Sequence, residues 1–404
     1  QIGELEVGDG GDPVIKVVLA GVDSDSVVNL VQAEDTPGAR RNLLRKLVFG
    51  QFGIEDANRI GGVTPMSFVW RGTRRRIDVL FGNIRDSHAM PEDVFRSEGD
   101  AWRIVVDYPF DEGTHVPHED VARFEDLQAE SLESRTVGWV PRFLSAARQE
   151  DLGTLVLLEH LLGGAGDQFE ANAQHLPADQ RPMARTLLEN KRKALREKLE
   201  SSLRQAYGVA TIDAGDVDTS HGDFTMWPTL WPELEVRPPV GASLGDAMLA
   251  LSDQMLSEQY PDHPMFEAEV RAADLNGVLE FVKEAVGKAD GRIDPVESAA
   301  RPRLRRVANP LSCGHMYEGH FVFSAQTFPW RNEFVRLEGR PGDLTVKSLR
   351  EMLAPWGLTR DTQSLLILSW ALLQDKQFLK HGVAVRVHGL KDVTDDLVLA
   401  DPPY

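Results

Sequence analysis

Apolar and polar positions follow two different periods along this chain, and the switches between them mark out its elements. Residues 14–20 form a short Val-rich apolar run, the signature of a buried strand. Thr36-Pro37 then opens a helix. Threonine is a good N-cap, proline suits a first turn, and Leu43, Leu44, Leu47 and Val48 supply an apolar face. Residues 66–70 and 77–81 flank Arg71-Gly72-Thr73-Arg74 and read as a hairpin. Residues 103–106 form another buried strand, ending at Asp107, and residues 137–140 a further one. Helical periodicity covers 118–132 and 151–162. Strands separated by helices predict an α/β lobe with a partly parallel sheet over residues 1–165.

Beyond residue 165 the helical period dominates. Met183, Leu187, Leu188, Leu195, Leu199 and Leu203 recur about four apart, with charges between them and pairs such as Glu189/Lys193 at helical spacing. Gly208 is a stop signal. The pattern predicts one long amphipathic helix over 180–207, packed in an antiparallel hairpin. With the turn-rich connector 211–239 it occupies residues 166–240. Helices resume over 243–258 and 266–286, within a helical region at 241–340. Residues 344–387 read helix, tight turn at Pro355-Trp356-Gly357, helix, strand. That order resembles a winged-helix unit, placed over 341–404. No internal repeat or low-complexity tract interrupts the chain.

A length of 404 residues leaves room for two or three domains with proper cores. With 42% hydrophobic and 26% charged residues, the composition is that of an ordinary soluble globular protein. The most apolar stretch, 364–373, is too short to span a bilayer. Cys313 is the single cysteine, so no internal disulfide can form, which fits a reducing compartment. The chain starts at Gln1 and ends in Asp401-Pro402-Pro403-Tyr404, which reads as a linker, so excision from a larger protein is expected.

The net charge of −19, from 44 basic and 63 acidic residues, repels nucleic acid as a uniform field. Local basic groups run against it: Arg40, Arg41, Arg45 and Lys46; Arg71, Arg74, Arg75 and Arg76; Arg301, Arg303, Arg305 and Arg306. Solvated helix faces and hairpin tips account for each cluster alone. Convergence on a phosphate backbone or a protein partner is the functional alternative.

Most motifs of known chemistry fail on inspection. A phosphate-binding loop needs Gly-x-x-x-x-Gly-Lys-Ser/Thr, because glycine amides cradle phosphates and the lysine neutralises them. Gly287-Lys288 is followed by Ala289, and Val282 stands where the first glycine belongs. Ile104-Val105-Val106-Asp107 with Asp111-Glu112 resembles the strand whose terminal acid holds Mg²⁺, but the acidic pair comes four residues late, after Pro109. Gly241-Ala242-Ser243-Leu244-Gly245 matches a hydrolase nucleophile elbow. Pro238-Pro239 stand where its strand should be, so Ser243 with Asp246 reads as a helix cap. Asp216-Val217-Asp218 starts like a calcium loop, yet His221 and Trp227 occupy the glycine and glutamate positions. Cys313-Gly314-His315 with His320, and His115 with His118, lack the paired spacing of a zinc site. His160, Trp356 and Trp370 read as core residues.

Several phrases, taken in order, carry a family resemblance. They are Lys46-Leu47-Val48-Phe49-Gly50-Gln51-Phe52-Gly53, Trp70-Arg71-Gly72-Thr73-Arg74-Arg75, Phe81-Gly82-Asn83-Ile84-Arg85, Val106-Asp107-Tyr108-Pro109-Phe110-Asp111, Tyr260-Pro261-Asp262-His263-Pro264-Met265-Phe266 and Ala308-Asn309-Pro310-Leu311. Their order over residues 14–387 resembles the middle region of the PglY/BrxC-like large P-loop ATPases of BREX phage-defence systems, the phage-growth-limitation type included. The resemblance implies a cytoplasmic protein of a complex that distinguishes host from phage DNA. Its implied partners are a DNA methyltransferase and a PglZ-type protein, with DNA itself a candidate and oligomerisation open. ATP and Mg²⁺ are implied for the parent protein. In that family the phosphate loop lies near the N-terminus of a much longer chain. None is present here, so no ATP-site residue carries over and no cofactor is expected for these residues alone.

Two classes of function follow. One is a non-catalytic assembly or DNA-engaging segment, with Arg71, Arg74, Arg75, Arg76, Arg301, Arg303, Arg305 and Arg306 as candidate phosphate contacts. The other is a stand-alone nucleotide hydrolase or nuclease, using Asp107, Asp111 and Glu112 with Mg²⁺ in a pocket at the carboxyl ends of the first sheet.

Overall fold

A computed structural model describes residues 22–54, 62–163, 168–338 and 344–402; the strand expected at residues 14–20 lies outside them. The chain divides into two compact units, one of Gln1–Met66 with Ile77–Ser252, the other of Ser67–Arg76 with Asp253–Tyr404.

In the first unit α1 (Ser24–Asn29) precedes α2 (Pro37–Phe52), which starts as its sequence dictates. The Thr36 hydroxyl accepts from the Ala39 amide and Pro37 takes the first turn. A sheet follows in the order β1-β2-β3-β4: β1 (Thr64–Trp70), β2 (Thr73–Phe81), β3 (Trp102–Val106) and β4 (Thr136–Trp139). The strands β2, β3 and β4 are parallel, with Ile77 opposite Trp102 and Arg103 opposite Thr136. Every residue of β3 and β4 is buried, as parallel strands covered on both faces require. On one face α2 seats Phe49 against Phe81 and Phe52 against Trp139, with ring centroids 5.9 and 5.5 Å apart. On the other, α3 (Pro117–Ala129) packs Phe124 and Leu127 with Leu80 and Val105.

The long helix is present, but it does not project. After α4 (Ala146–Gly163) and α5 (Gln168–Asn172), α6 (Arg181–Ala206) runs back antiparallel along α4, with Arg196 on Glu159 and Lys198 on Asp151. Its buried row is Ala184, Leu188, Leu199 and Leu203. Met183 and Leu187, expected on the apolar face, are 49% and 37% exposed. Glu189 pairs backward with Arg185 and Lys193 forward with Glu197, rather than with each other. Gly208 ends the run at φ +76.

The connector contains order that its turn-rich composition conceals. Its residues 226–230 lie antiparallel along the outer edge of β4, through Gly138 N–H to Pro228 O and Leu230 N–H to Thr136 O. Then α7 (Leu244–Gln259) begins with Ser243 accepting from the Asp246 amide, the cap expected in place of a nucleophile elbow.

The second unit contains the tip of the β1–β2 hairpin. Arg71 and Gly72 both have positive φ, 43° and 76°, the two-residue turn that matches strand twist. A Cβ on residue 72 would lie 2.4 Å from that of Phe266, so glycine is required twice over. Trp70 donates its indole N–H to Asp253 at 2.8 Å. Burial lowers the His263 imidazole to about 4. It is therefore neutral, with one ring nitrogen 2.7 Å from Pro264 O and the other 3.1 Å from the Thr73 hydroxyl.

The remaining helices are α8 (Ala272–Val286), α9 (Arg301–Leu311), α10 (Trp330–Glu338), α11 (Val346–Leu353) and α12 (Arg360–Leu373). Two small sheets accompany them. One orders β5 (Arg292–Ile293), β7 (Phe321–Val322) and β6 (His315–Met316); the other orders β10 (Val398–Ala400), β8 (Gln377–Lys380) and β9 (Val383–Val385). A common core of Val282, Leu304, Phe321, Phe334, Leu365 and Trp370 joins them. The sequence α11, tight turn closed by Gly357 at φ +61, α12, β8, β9 has the expected order. However, α12 is buried continuously from Ser364 to Ala371. A helix with no outward face over those residues is a core element and cannot present them to a DNA groove.

Candidate functional site

Parallel strands open their carboxyl ends onto loops, and there the first unit gathers its titratable groups. Asp107, immediately after β3, is 3% exposed. Its Oδ1 accepts from the amides of Tyr108 at 2.7 Å and Ile84 at 3.4 Å. Asp120, on the first turn of α3, shares a hydrogen bond with it and accepts from the Arg85 amide at 3.1 Å. Burial raises Asp107 well above the usual carboxylate range, and the neighbouring Asp120 charge adds to this. Asp120 is also raised by burial, although the proton donated by Asp107 offsets part of the rise. Both carboxyls are thus pushed toward the neutral form, Asp107 the more strongly. Above it, the Tyr207 hydroxyl donates to Asp107 O at 2.6 Å and the Trp139 indole donates to Tyr207 O at 3.1 Å.

In front of this pair lies a polar cleft of about 410 Å³ that includes Arg41, Asn83, Arg85, Asp111, Glu112 and His115 in its lining. Asp107 is not part of that lining. Arg85 pairs with Asp111 and stands 3.7 Å from Glu119. His115 meets the same Glu119 at 2.7 Å, and Arg41 meets Glu112 at 2.7 Å. Burial pushes Asp111 up, but hydrogen bonds from Arg85 and the Glu112 amide outweigh it and hold the carboxyl below its usual value. The three carboxylates therefore part company. Asp107 faces Asp120, Asp111 faces Arg85, and Glu112 faces Arg41. Among the described residues no group of three or more His, Cys, Asp or Glu stands where it could hold a metal ion. Arg85, Asp120 and Glu119 were not singled out in the sequence. A signal existed for Arg85, which ends a phrase placed directly after a strand.

The basic clusters are drawn into local structure. Arg40 grips Asp35 with two 2.6 Å hydrogen bonds, and Arg45 lies 5.2 Å over the Phe49 ring. Lys46 lines a second cleft, of about 350 Å³, with Asn42, Glu159 and Arg196. His160 lines it too and is half-buried, 3.8 Å from Glu34, not a core residue. At the hairpin tip Arg71 stacks on Trp70, Arg74 pairs with Glu269 at 2.8 Å, and Arg75 lies between the Trp70 and Tyr260 rings at 5.4 and 5.0 Å. Arg76 is exposed on β2. On α9, Arg303 and Arg306 share Asp274, at 3.8 and 2.8 Å. Arg301 donates to Val296 O, and Arg305 to Tyr317 O and Glu318 O. Cys313 is buried against Ser369, and burial pushes its thiol up to about 12, which leaves it inert.

A cleft in which Arg41, Arg85 and His115 each meet a carboxylate can lock its loops together. Comparison with known proteins supplies the context. A family model described as the PglY fourth domain matches residues 27–260. A second, described as the BREX System ATPase PglY protein 5th domain, matches residues 273–371. No solved structure matches.

Proposed function

Because the chain belongs to the PglY family of BREX system ATPases, we propose that it serves that system as a non-catalytic assembly segment. The residues present do not fit a nucleoside triphosphate. The Gly287-Lys288 pair follows the last turn of α8 and precedes β5, a helix-to-strand turn and not the strand-to-helix turn of a phosphate loop, and Lys288 stands 3.9 Å from Glu284. At the sheet edge, where nucleotides are held in α/β proteins, Asp107 is closed against Asp120 and Arg85 against Asp111. That closure is the observation supporting the reading, and it counts equally against the Mg²⁺-dependent hydrolase or nuclease. ATP and Mg²⁺ would act elsewhere in the parent protein. The proposed partners are the other proteins of the system, its DNA methyltransferase and PglZ-type protein, in the cytoplasm. Among the described residues no helix is long and apolar enough to cross a membrane.

The test is turnover. The purified chain with ATP and Mg²⁺ is expected to release phosphate no faster than buffer, and Asp107→Asn to change nothing. Hydrolysis above buffer that disappears in Asp107→Asn would overturn the proposal. Co-elution with the partner proteins on size exclusion is the positive counterpart. DNA engagement is a second reading for the second unit, favoured by α9, where Arg303 and Arg306 share the carboxylate of Asp274 while Arg301 and Arg305 donate to backbone carbonyls.

A further inference from the structure

The β6–β7 hairpin sits directly beside α9 and carries three rings outward. Tyr317 stacks on His320 with centroids 4.9 Å apart and planes 15° apart, and it meets His315 edge-on at 4.5 Å. Tyr317 is 45% exposed. The trio is held rigidly. Asn309 of α9 accepts from the Met316 amide at 2.7 Å and donates to Met316 O at 3.2 Å. Arg305 donates to Tyr317 O and Glu318 O, at 3.2 and 3.1 Å. At Gly314, with φ +85, a Cβ would stand 2.3 Å from the Phe321 ring, which fixes the path into the hairpin.

Beside the rings lies a polar pocket of about 260 Å³, lined by Asn309, Ser312, Gln326 and Thr327, with His315 and Tyr317 in its wall. Donors and acceptors in a pocket bordered by two aromatic rings match the edge and the face of a heterocyclic base. Arg301, Arg305 and Asn309 follow one another at i, i+4 and i+8, so one face of α9 runs from the pocket past two guanidiniums bonded to carbonyls rather than carboxylates. Positive charge in line with a stacking platform is the arrangement that grips a single strand without reading sequence. Glu318, exposed at the turn next to Tyr317, is a negative charge close enough to oppose a bound phosphate.

We propose that the Arg305 side of α9 and the His315–Tyr317–His320 rings form a binding site for single-stranded nucleic acid, with one base in the Asn309–Gln326 pocket. The site rests on the DNA-engaging reading and is independent of the assembly role. Its failure would leave the ATP and co-elution results untouched.

Fluorescence anisotropy of the full chain with labelled single-stranded oligonucleotides, in DNA and RNA arms, tests it at low salt, ~50 mM. Binding should weaken steeply with added salt. Tyr317→Ala should lose about tenfold in affinity, while Tyr317→Phe stays near the parent. Arg305→Gln should flatten the salt dependence by about one phosphate contact, and Glu318→Gln should tighten binding. The exposure of Tyr317 makes an unchanged melting curve the expected control; Gln326→Ala, on the opposite wall of the pocket, provides a second variant. Absence of binding at low salt, or equal affinity of the parent, Tyr317→Ala and Gln326→Ala, overturns the proposal. So does a duplex that binds as tightly as the single strand.

Discussion

Replacing Asp107 with alanine is expected to lower the unfolding free energy by about 3 kcal/mol near neutral pH, whereas asparagine should cost far less. The alanine variant strands the Tyr108 and Ile84 amides and leaves Asp120 buried without its proton donor. Asparagine keeps an acceptor for the amides and a donor for Asp120. The two variants should also diverge with pH. The folded-state value of Asp107 is raised. Its contribution is therefore complete below the unfolded carboxyl value of about 3.9 and fades as pH climbs through the raised folded value. The parent should accordingly lose stability relative to Asp107→Asn as pH rises above the unfolded value of about 3.9. Urea unfolding at several pH values reads this directly, and a gap that stays constant with pH would refute the raised Asp107 carboxyl.

The second large effect is expected at Arg350 on α11. Its guanidinium is enclosed, donating to Arg360 O at 3.1 Å, the Ser364 hydroxyl at 2.9 Å and Val393 O at 2.8 Å, with Asp395 at 3.0 Å as its counter-ion. Burial pushes its pKa down, Arg360 adds to that, and Asp395 works against both. Truncation to alanine opens a void, frees these acceptors and leaves Asp395 to the more exposed Arg360 alone, 2.9 Å away, a loss of about 3 kcal/mol. Methionine restores the stem volume without the charge and should recover about half. Lysine cannot span several acceptors with one ammonium and should resemble methionine. Chemical unfolding measures all three; an alanine variant within about 0.5 kcal/mol of the parent would show that the other contacts of α11 suffice.

What was legible in the sequence was local. The start of α2 is set by Thr36-Pro37, the hairpin by Arg71-Gly72, and the end of α6 by Gly208, each through forces acting within a few residues. The buried strands around Val105 and Val137 show as short, mostly apolar runs because both of their faces are covered. The parallel sheet and the largely helical remainder followed from that pattern. What stayed hidden depends on neighbours distant in sequence. Residues 226–230 join β4 through peptide groups, and no side chain records that pairing. The apolar stripe of α6 is narrower than its leucines suggest, because packing reaches Leu188 and not Leu187. The burial of α12 could have been read from its run of apolar residues, and Trp370 was read as core from them. At the site, Asp107 stood out as an acid ending a strand, while its partner Asp120 looked like any acidic residue in the first turn of a helix. Only the folded chain brings the two together and turns Asp111 toward Arg85.

Ten residues, Ser67–Arg76, belong to the second compact unit although the first surrounds them in the chain. Cutting the polypeptide before Asp253 would take Trp70 from Asp253 and Thr73 from His263, leaving a neutral imidazole and a carboxylate to find water instead. The C-terminal piece, expressed alone, would lack a wall. Neither unit can be shuffled as a module by a single crossover. Lineages that keep one should keep the other, in this order, and a working transplant must carry the loaned hairpin with it.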